Sequence, residues 1–170
     1  MGIVLRFIMW ALMLLGGGFL GVYLDLKWFP SLFGNFYFHI ATVVPGLILL
    51  RLVLLVSKNT GRFLARNGRE GKIPRMETNK LVTTGMYGCM RHPMHLGLLF
   101  FPLAFALIIG SVSFIIIIVP FEVISMLILI KLVEEREAIS KFGEDYIEYM
   151  KRVPMFNFSP GCLKLLFKSE

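Results

Sequence analysis

Five ionisable side chains stand in two short clusters at either end of an apolar stretch: Arg91, His92 and His95 at its start, Glu134 and Glu135 at its close. Charged groups at membrane depth are costly, so a knot of them is a functional hypothesis by default. Residues 95–133 are apolar except for a break at Gly110-Ser111-Val112-Ser113, which predicts a helical hairpin. Antiparallel hairpin helices return both clusters to one rim, where two carboxylates, a guanidinium and two imidazoles can hold a ligand bearing charges of both signs, or move protons.

Each group has a plainer reading when taken alone. Arg91-His92 is what commonly flanks a membrane helix on its cytoplasmic side. Glu134, Glu135 and Glu137 could be a solvated helix start paired with Lys131 and Lys141 at i, i+4, and Glu137 is assigned to that role. His92 and His95 share a helix face, but His39 lies in another apolar run and no Cys or Asp stands at ligand spacing beside the pair, so no metal site is expected. Glu122, in the middle of an apolar segment, is read first as protonated and hydrogen-bonded across helices, and second as lining a path for a ligand.

The elements that position these groups are membrane helices. Of the 170 residues 56% are hydrophobic, and the mean hydropathy is +0.74. That is more apolar surface than one soluble core of this size can hide, and the surplus must face lipid. The run 3–24 reaches about 33 Å as a helix, enough to span the hydrocarbon; Arg6 can snorkel from it, and Gly16, Gly17 and Gly18 mark a close-packing site. A second run, 36–56, holds His39, Pro45 and Arg51, and is expected to kink near the proline. The first hairpin helix is long enough to span only if it begins near Cys89, which draws Arg91, His92 and His95 onto the rim. The expectation is an all-α polytopic transmembrane bundle of about four, at most five, spans: an N-terminal two-span part (1–56), a loop (57–84), and a hairpin with a C-terminal helix (85–160), all in one membrane domain.

The formal net charge is +7, and Lys58, Arg62, Arg66, Arg69, Lys72, Arg75, Lys80 and Arg91 crowd one interval, which places the 57–84 loop and both termini on the cytoplasmic side of an integral membrane protein. No aromatic interleaving or helix-turn-helix pattern supports nucleic-acid binding. Cys89 and Cys162 then face a reducing compartment, so no disulfide is expected, and Cys162 is too far from the C-terminus for a prenylation box. After the hairpin, Ile139, Phe142, Tyr146, Tyr149 and Val153 recur at helical spacing between charged residues, predicting an amphipathic helix. Leu163, Leu165, Leu166 and Phe167 form a further interfacial anchor.

Gly85-x-Tyr87, Arg91-His92-Pro93-x-x-x-Gly97, the hairpin, Glu134-Glu135, and Phe142-Gly143-x-x-Tyr146-x-x-Tyr149 together resemble the C-terminal signature of the isoprenylcysteine carboxyl methyltransferase and phospholipid methyltransferase superfamily. The resemblance covers about residues 80–154, and the departure is His95, where the family usually has Tyr. It implies an integral membrane enzyme that binds S-adenosylmethionine without a Rossmann fingerprint and releases S-adenosylhomocysteine, methylating a lipophilic acceptor from the bilayer. Carried over, Lys80, Leu81, Val82, Gly85, Tyr87, His92, Pro93 and His95 wall the cofactor. Glu134 and Glu135 form its polar end, and Tyr146 or Tyr149 offers a ring to its cationic groups.

On this reading the acceptor is the carboxylate of a prenylated cysteine, in a small molecule or a protein C-terminus. Such a carboxylate needs no base, only a cation to place it, and Arg91 is assigned that role. A phospholipid amine is the alternative and needs Glu135 or His92 as base. Membrane sterol reductases, which use NADPH and have a distantly similar C-terminal domain, are a second class. A non-enzymatic membrane scaffold is a third. Oligomeric state is not legible.

Overall fold

A computed structural model describes residues 3–74 and 77–168, with side chains from Leu5 onward; Arg75 of the basic interval lies outside the described residues. Among these the chain is all-helical, with no strand. Helices α1 (Ile3–Trp28), α2 (Pro30–Phe33) and α3 (Phe36–Asn67) are followed by α4 (Met86–Cys89), α5 (Pro93–Leu99) and α6 (Phe101–Ile109). A π-helical turn (Phe114–Ile118), α7 (Val119–Leu129), a second π turn (Ile130–Glu134) and α8 (Glu135–Phe142) then run end to end, before α9 (Glu144–Arg152) and α10 (Pro160–Phe167).

Among the described residues three helical segments are long and apolar enough to cross a membrane, Leu5–Trp28, Phe36–Asn67 and Phe114–Phe142, and a shorter apolar one covers Pro93–Ile109. Their outward residues are large and apolar: Phe19 and Tyr37 are 80% exposed and Phe121 67%, surface that only lipid can cover without cost. The chain is an integral membrane protein. The shorter segment falls where the sequence places the third of the four expected spans and is not long enough to count with the other three; it does not begin at Cys89, because Met90 is extended, with φ −152° and ψ 150°, and separates α4 from α5. Several other boundaries also move. Helix α1 continues through Trp28, so Asp25 is helical rather than in a connection; α3 absorbs the first part of the basic loop; and the amphipathic helix is two, divided at Gly143 (φ +57°).

The described residues fall into two compact units. One comprises 1–51 and 99–133. There α1 lies close against the first π turn and α7, as its glycines allow: a Cβ on Gly17 would come 2.8 Å from Ile118 Cγ2 and 2.9 Å from Glu122 Oε1, and one on Gly21 2.8 Å from Phe114 Cβ and Ser111 Oγ. The close-packing run is thus centred on Gly17 and Gly21; Gly16 faces open space. Ala106, Phe114, Ile118 and Val119 form the core. Fully buried Asp25 accepts the Ser113 N–H at 2.8 Å, satisfying a donor that the π turn leaves without a carbonyl. Glu122 is 2% exposed and Oε1 has no hydrogen-bond partner, so the expected cross-helix bond to that oxygen is not formed.

The other unit comprises 52–98 and 134–170 and carries every candidate site residue. Its core joins Val53, Val56 and Phe63 of α3 to Val82, Met86, Tyr87, Met90 and Leu96, to Tyr146 and Tyr149 of α9, and to Cys162 and Leu166 of α10. Helix α10 is fastened twice: Asn59 Nδ2 donates to the Leu166 carbonyl at 3.0 Å, and Cys89 and Cys162 are bonded as a disulfide across a sequence separation of 73. The expectation of free cysteines is overturned. It rested on compartment alone, whereas the fold brings the two Cα atoms to 5.7 Å, within disulfide range.

Candidate functional site

The site begins at the interruption between α4 and α5. Gly85 has φ +58° and ψ −132°, a conformation open to glycine, and a side chain there would strike the Phe63 ring. This sharp entry lets α4 form one turn and sets Tyr87 parallel to Phe63, with ring centroids 6.1 Å apart. The chain then runs extended through Met90, where ladder-like bonds take over: the Arg91 N–H donates to the Pro154 carbonyl at 2.9 Å and the His92 N–H to that of Met155 at 3.2 Å. Pro93 opens α5, where its fixed φ and missing donor are tolerated.

Across from this strand-like strip stand Glu134 and Glu135, at the junction of the second π turn and α8. Arg91 and Glu135 form a buried ion pair, with side chains 9% and 7% exposed; Nε and Nη2 both donate to Oε1, at 3.0 and 2.5 Å. Arg91 Nη1 donates to the carbonyls of Val153 (2.6 Å) and Met150 (3.2 Å), groups that the end of α9 leaves unsatisfied. Four of the five guanidinium donors are thereby spent inside the protein.

The histidines fill the space between the carboxylates. His92 presents Nδ1 to Glu134 Oε2 at 3.9 Å and Nε2 to Glu135 Oε1 at 3.5 Å, too long for a hydrogen bond; Nε2 is buried without one. His95 Nε2 lies 3.1 Å from Glu134 Oε1, and the two imidazoles meet edge to face at 5.5 Å. Burial, then the neighbouring His95, pulls the His92 pKa down to about 4 against the opposing pull of Glu134 and Glu135. His92 is therefore a neutral imidazole at pH 7.

Below lie the tyrosines of α9. Tyr149 donates its hydroxyl to the Tyr87 carbonyl at 2.5 Å and packs against Tyr146 at 5.8 Å. Burial, then the Glu135 carboxylate, pushes Tyr146 up to about 12, and burial raises Tyr87 and Tyr149 above the usual phenol range. All three stay protonated at neutral pH, as donors or ring faces.

Arg91, His92, His95, Glu134, Glu135 and Tyr146 thus meet as expected, with Pro93 and Tyr87 beside them. Lys80, Leu81 and Val82 do not join that cluster by any described side-chain bond: the Lys80 N–H donates to the Gly68 carbonyl, its side chain is exposed, and Val82 belongs to the core. Sequence reasoning missed the role of the 150–155 backbone, whose carbonyls carry no residue signature beyond Pro154, and the Tyr149–Tyr87 tie. It also found no third ligand beside the histidine pair; the fold supplies Glu134.

The donor set suits a ligand of mixed charge. Arg91 neutralises Glu135, while Glu134, 25% exposed, stands beside the two imidazoles.

Residues 41–145 match the model of the phospholipid methyltransferase family. The chain is also similar to the Delta(14)-sterol reductases of Arabidopsis thaliana (29% identity over 81% of this chain and 41% of that protein) and Mus musculus (26% over 82% and 38%). It is 27% identical to protein-S-isoprenylcysteine O-methyltransferase B of Arabidopsis thaliana over 76% of this chain and 64% of that protein. It spans about two fifths of the length of the reductases it matches. With more than half of its residues inside the family match, and with the Arg91-His92-Pro93 and Glu134-Glu135 elements meeting in one buried cluster, the chain belongs to the phospholipid methyltransferase family.

Proposed function

We propose that the protein transfers a methyl group from S-adenosylmethionine to a lipophilic acceptor, first the carboxylate of a prenylated cysteine and second a phospholipid amine. The observation that carries this reading is the cluster of Arg91, His92, His95, Glu134 and Glu135, drawn from two regions of the sequence in a chain whose family match spans both. When bound, the donor supplies an electrophilic methyl on a sulfonium. The protein's own task is alignment and exclusion of water, because charge is lost rather than created in the displacement.

Glu134 faces the cationic groups of such a donor, and Tyr146 and Tyr149 offer them ring faces. His92, neutral and bearing an unpartnered nitrogen, accepts or donates one hydrogen bond at the buried end. Arg91 changes role from the sequence reading: with its donors spent on Glu135 and on the end of α9, it is a positioning residue rather than the anchor of the acceptor's carboxylate. The weak basicity of His92 favours the carboxylate acceptor, which reaches the site already ionised, over an amine that must first lose a proton. The basic residues of α3, with Lys164 of α10, support a cytoplasmic site and cytoplasmic termini, and the Cys89–Cys162 bond is the observation that stands against them.

Two reductases among the relatives favour one competing class, a reductase using a nicotinamide cofactor. Calorimetric titration of S-adenosylmethionine, S-adenosylhomocysteine and NADPH into the detergent-solubilised protein separates them. Binding of the two methyl-cycle ligands that weakens in Glu134→Gln and His92→Asn is expected, and leads to screening prenylcysteine against phospholipid amines. Binding of NADPH alone moves the reductase reading to the front. Folded protein that binds none of the three overturns both.

A further inference from the structure

His92, His95 and Glu134 each offer one ligand atom, and those atoms all lie within 4.8 Å of one another. We propose that they form a binding site for a borderline-soft divalent cation of the Zn2+ class. A tetrahedral ion with bonds of about 2.0–2.2 Å needs donor atoms about 3.3 Å apart. His95 Nε2 already stands 3.1 Å from Glu134 Oε1, while His92 Nδ1 lies 3.9 Å from the other oxygen, Oε2, so one ligating oxygen must swing toward both imidazoles. Closing the remaining gap takes rotation of side chains that are only partly packed, since His95 is 17% and Glu134 25% exposed.

The surroundings are those of a built site. His92 is buried, and its two ring nitrogens face different carboxylates: Nδ1 turns to Glu134, while unpartnered Nε2 turns to Glu135 at 3.5 Å. At 3.5 Å Nε2 and Glu135 fall short of a hydrogen bond, and a small rotation of the imidazole on metal binding would close them into the carboxylate–histidine–metal arrangement, in which an outer carboxylate fixes the tautomer and aims the ligating nitrogen. Glu135 is itself held by Arg91, so the support extends one layer further. Two imidazoles and a carboxylate make the three-ligand set that leaves a fourth position open, and imidazole with carboxylate selects Zn2+ over Mg2+ or Ca2+, which take all-oxygen shells. Glu134 comes from the far end of the hairpin, so it stands beside the histidine pair in the fold and not in the sequence.

The site shares His92 and Glu134 with the methyl-donor reading, so a cation and the donor would compete for it; the test uses metal alone, and its failure leaves the methyl-donor reading standing. Protein with a tag free of histidine, stripped by chelator and held in detergent, is titrated with ZnCl2 by calorimetry and with CoCl2 by visible absorption. One ion per chain is expected, with the intense Co2+ bands of a four- or five-coordinate site. His95→Ala and Glu134→Gln should each weaken binding about tenfold or more, and Glu137→Gln should bind as wild type. Absence of binding by the wild type, or wild-type affinity in both ligand variants, overturns the proposal. X-ray absorption of the Zn2+-loaded wild type decides if a variant fails to fold: two imidazoles with oxygen are expected, and a shell of sulfur or of oxygen alone refutes it.

Discussion

Arg91 and Glu135 lie 44 residues apart in sequence and share one carboxylate oxygen, Oε1, through two guanidinium donors. The same guanidinium closes the end of α9 through the Met150 and Val153 carbonyls. One side chain therefore ties the start of α5, the start of α8 and the end of α9 together.

Breaking this pair from one side leaves a buried charge uncompensated, which costs about 3–5 kcal/mol, whereas replacing both partners with apolar side chains of similar volume is often neutral. Arg91→Met and Glu135→Leu are each expected to lower the thermal unfolding midpoint in detergent strongly, and the double variant to recover much of the loss. The double variant should still bind S-adenosylhomocysteine poorly, because His92 loses its second carboxylate. Additive destabilisation in the double-mutant cycle would count against a coupled pair.

His92 makes stability depend on pH. Its folded-state pKa is drawn down to about 4 from an ordinary 6.5, chiefly by burial. Between those values the unfolded chain holds a proton that the folded chain refuses, so stability falls as pH drops through that window and is restored above it. Unfolding midpoints measured from pH 7 to pH 5 should decline in the wild type, and His92→Asn should flatten the profile. An unchanged slope in the variant would assign the acid sensitivity to other groups.

Much of this was legible from residue types. Apolar runs marked the spans, and the return of Glu134-Glu135 toward Arg91-His92 followed from a hairpin broken at Gly110, whose φ of +72° ends α6. What escaped was set by long-range geometry. Nothing in the local pattern marks Met150, Val153, Pro154 and Met155 as backbone acceptors for Arg91 and His92. Nor does periodicity reveal that Met90 is extended, since a helix from Cys89 and a break before Pro93 bury the same apolar residues. Asp25 stands just past the apolar run 3–24, and the donor that meets its buried carboxylate, the Ser113 N–H, lies 88 residues away.

Gly21 tests the first unit separately from the site. A Cβ there meets Phe114 Cβ and Ser111 Oγ at 2.8 Å and the Phe114 backbone at 3.3 Å, so little can give way. Gly21→Val is expected to destabilise by about 1–3 kcal/mol through overpacking. Gly16→Ala, with nothing within 4 Å of its new methyl, should be neutral or gain about 0.5–1 kcal/mol from lower chain entropy in the unfolded state. Comparable melting curves for the two variants would argue against the close approach of α1 to the first π turn.

The Cys89–Cys162 bond bears on how α10 is held. Cys89 ends α4, one residue before the extended Met90 that leads to Arg91, so α10 is covalently fastened to the segment that presents the site. Closing a loop of 73 residues removes about 4 kcal/mol of conformational freedom from the unfolded chain in the entropic account. In denaturing detergent without reductant, a maleimide reagent should leave both cysteines unlabelled; after reduction it should add to both. Reduced protein, or Cys162→Ser, should unfold at lower temperature and lose protection of α10 in hydrogen exchange, while Asn59, still bonded to the Leu166 carbonyl at 3.0 Å, keeps the helix from detaching outright. Two freely labelled cysteines before reduction would show that the sulfurs are neighbours held by packing alone, and would bring back the reduced state that a cytoplasmic site implies.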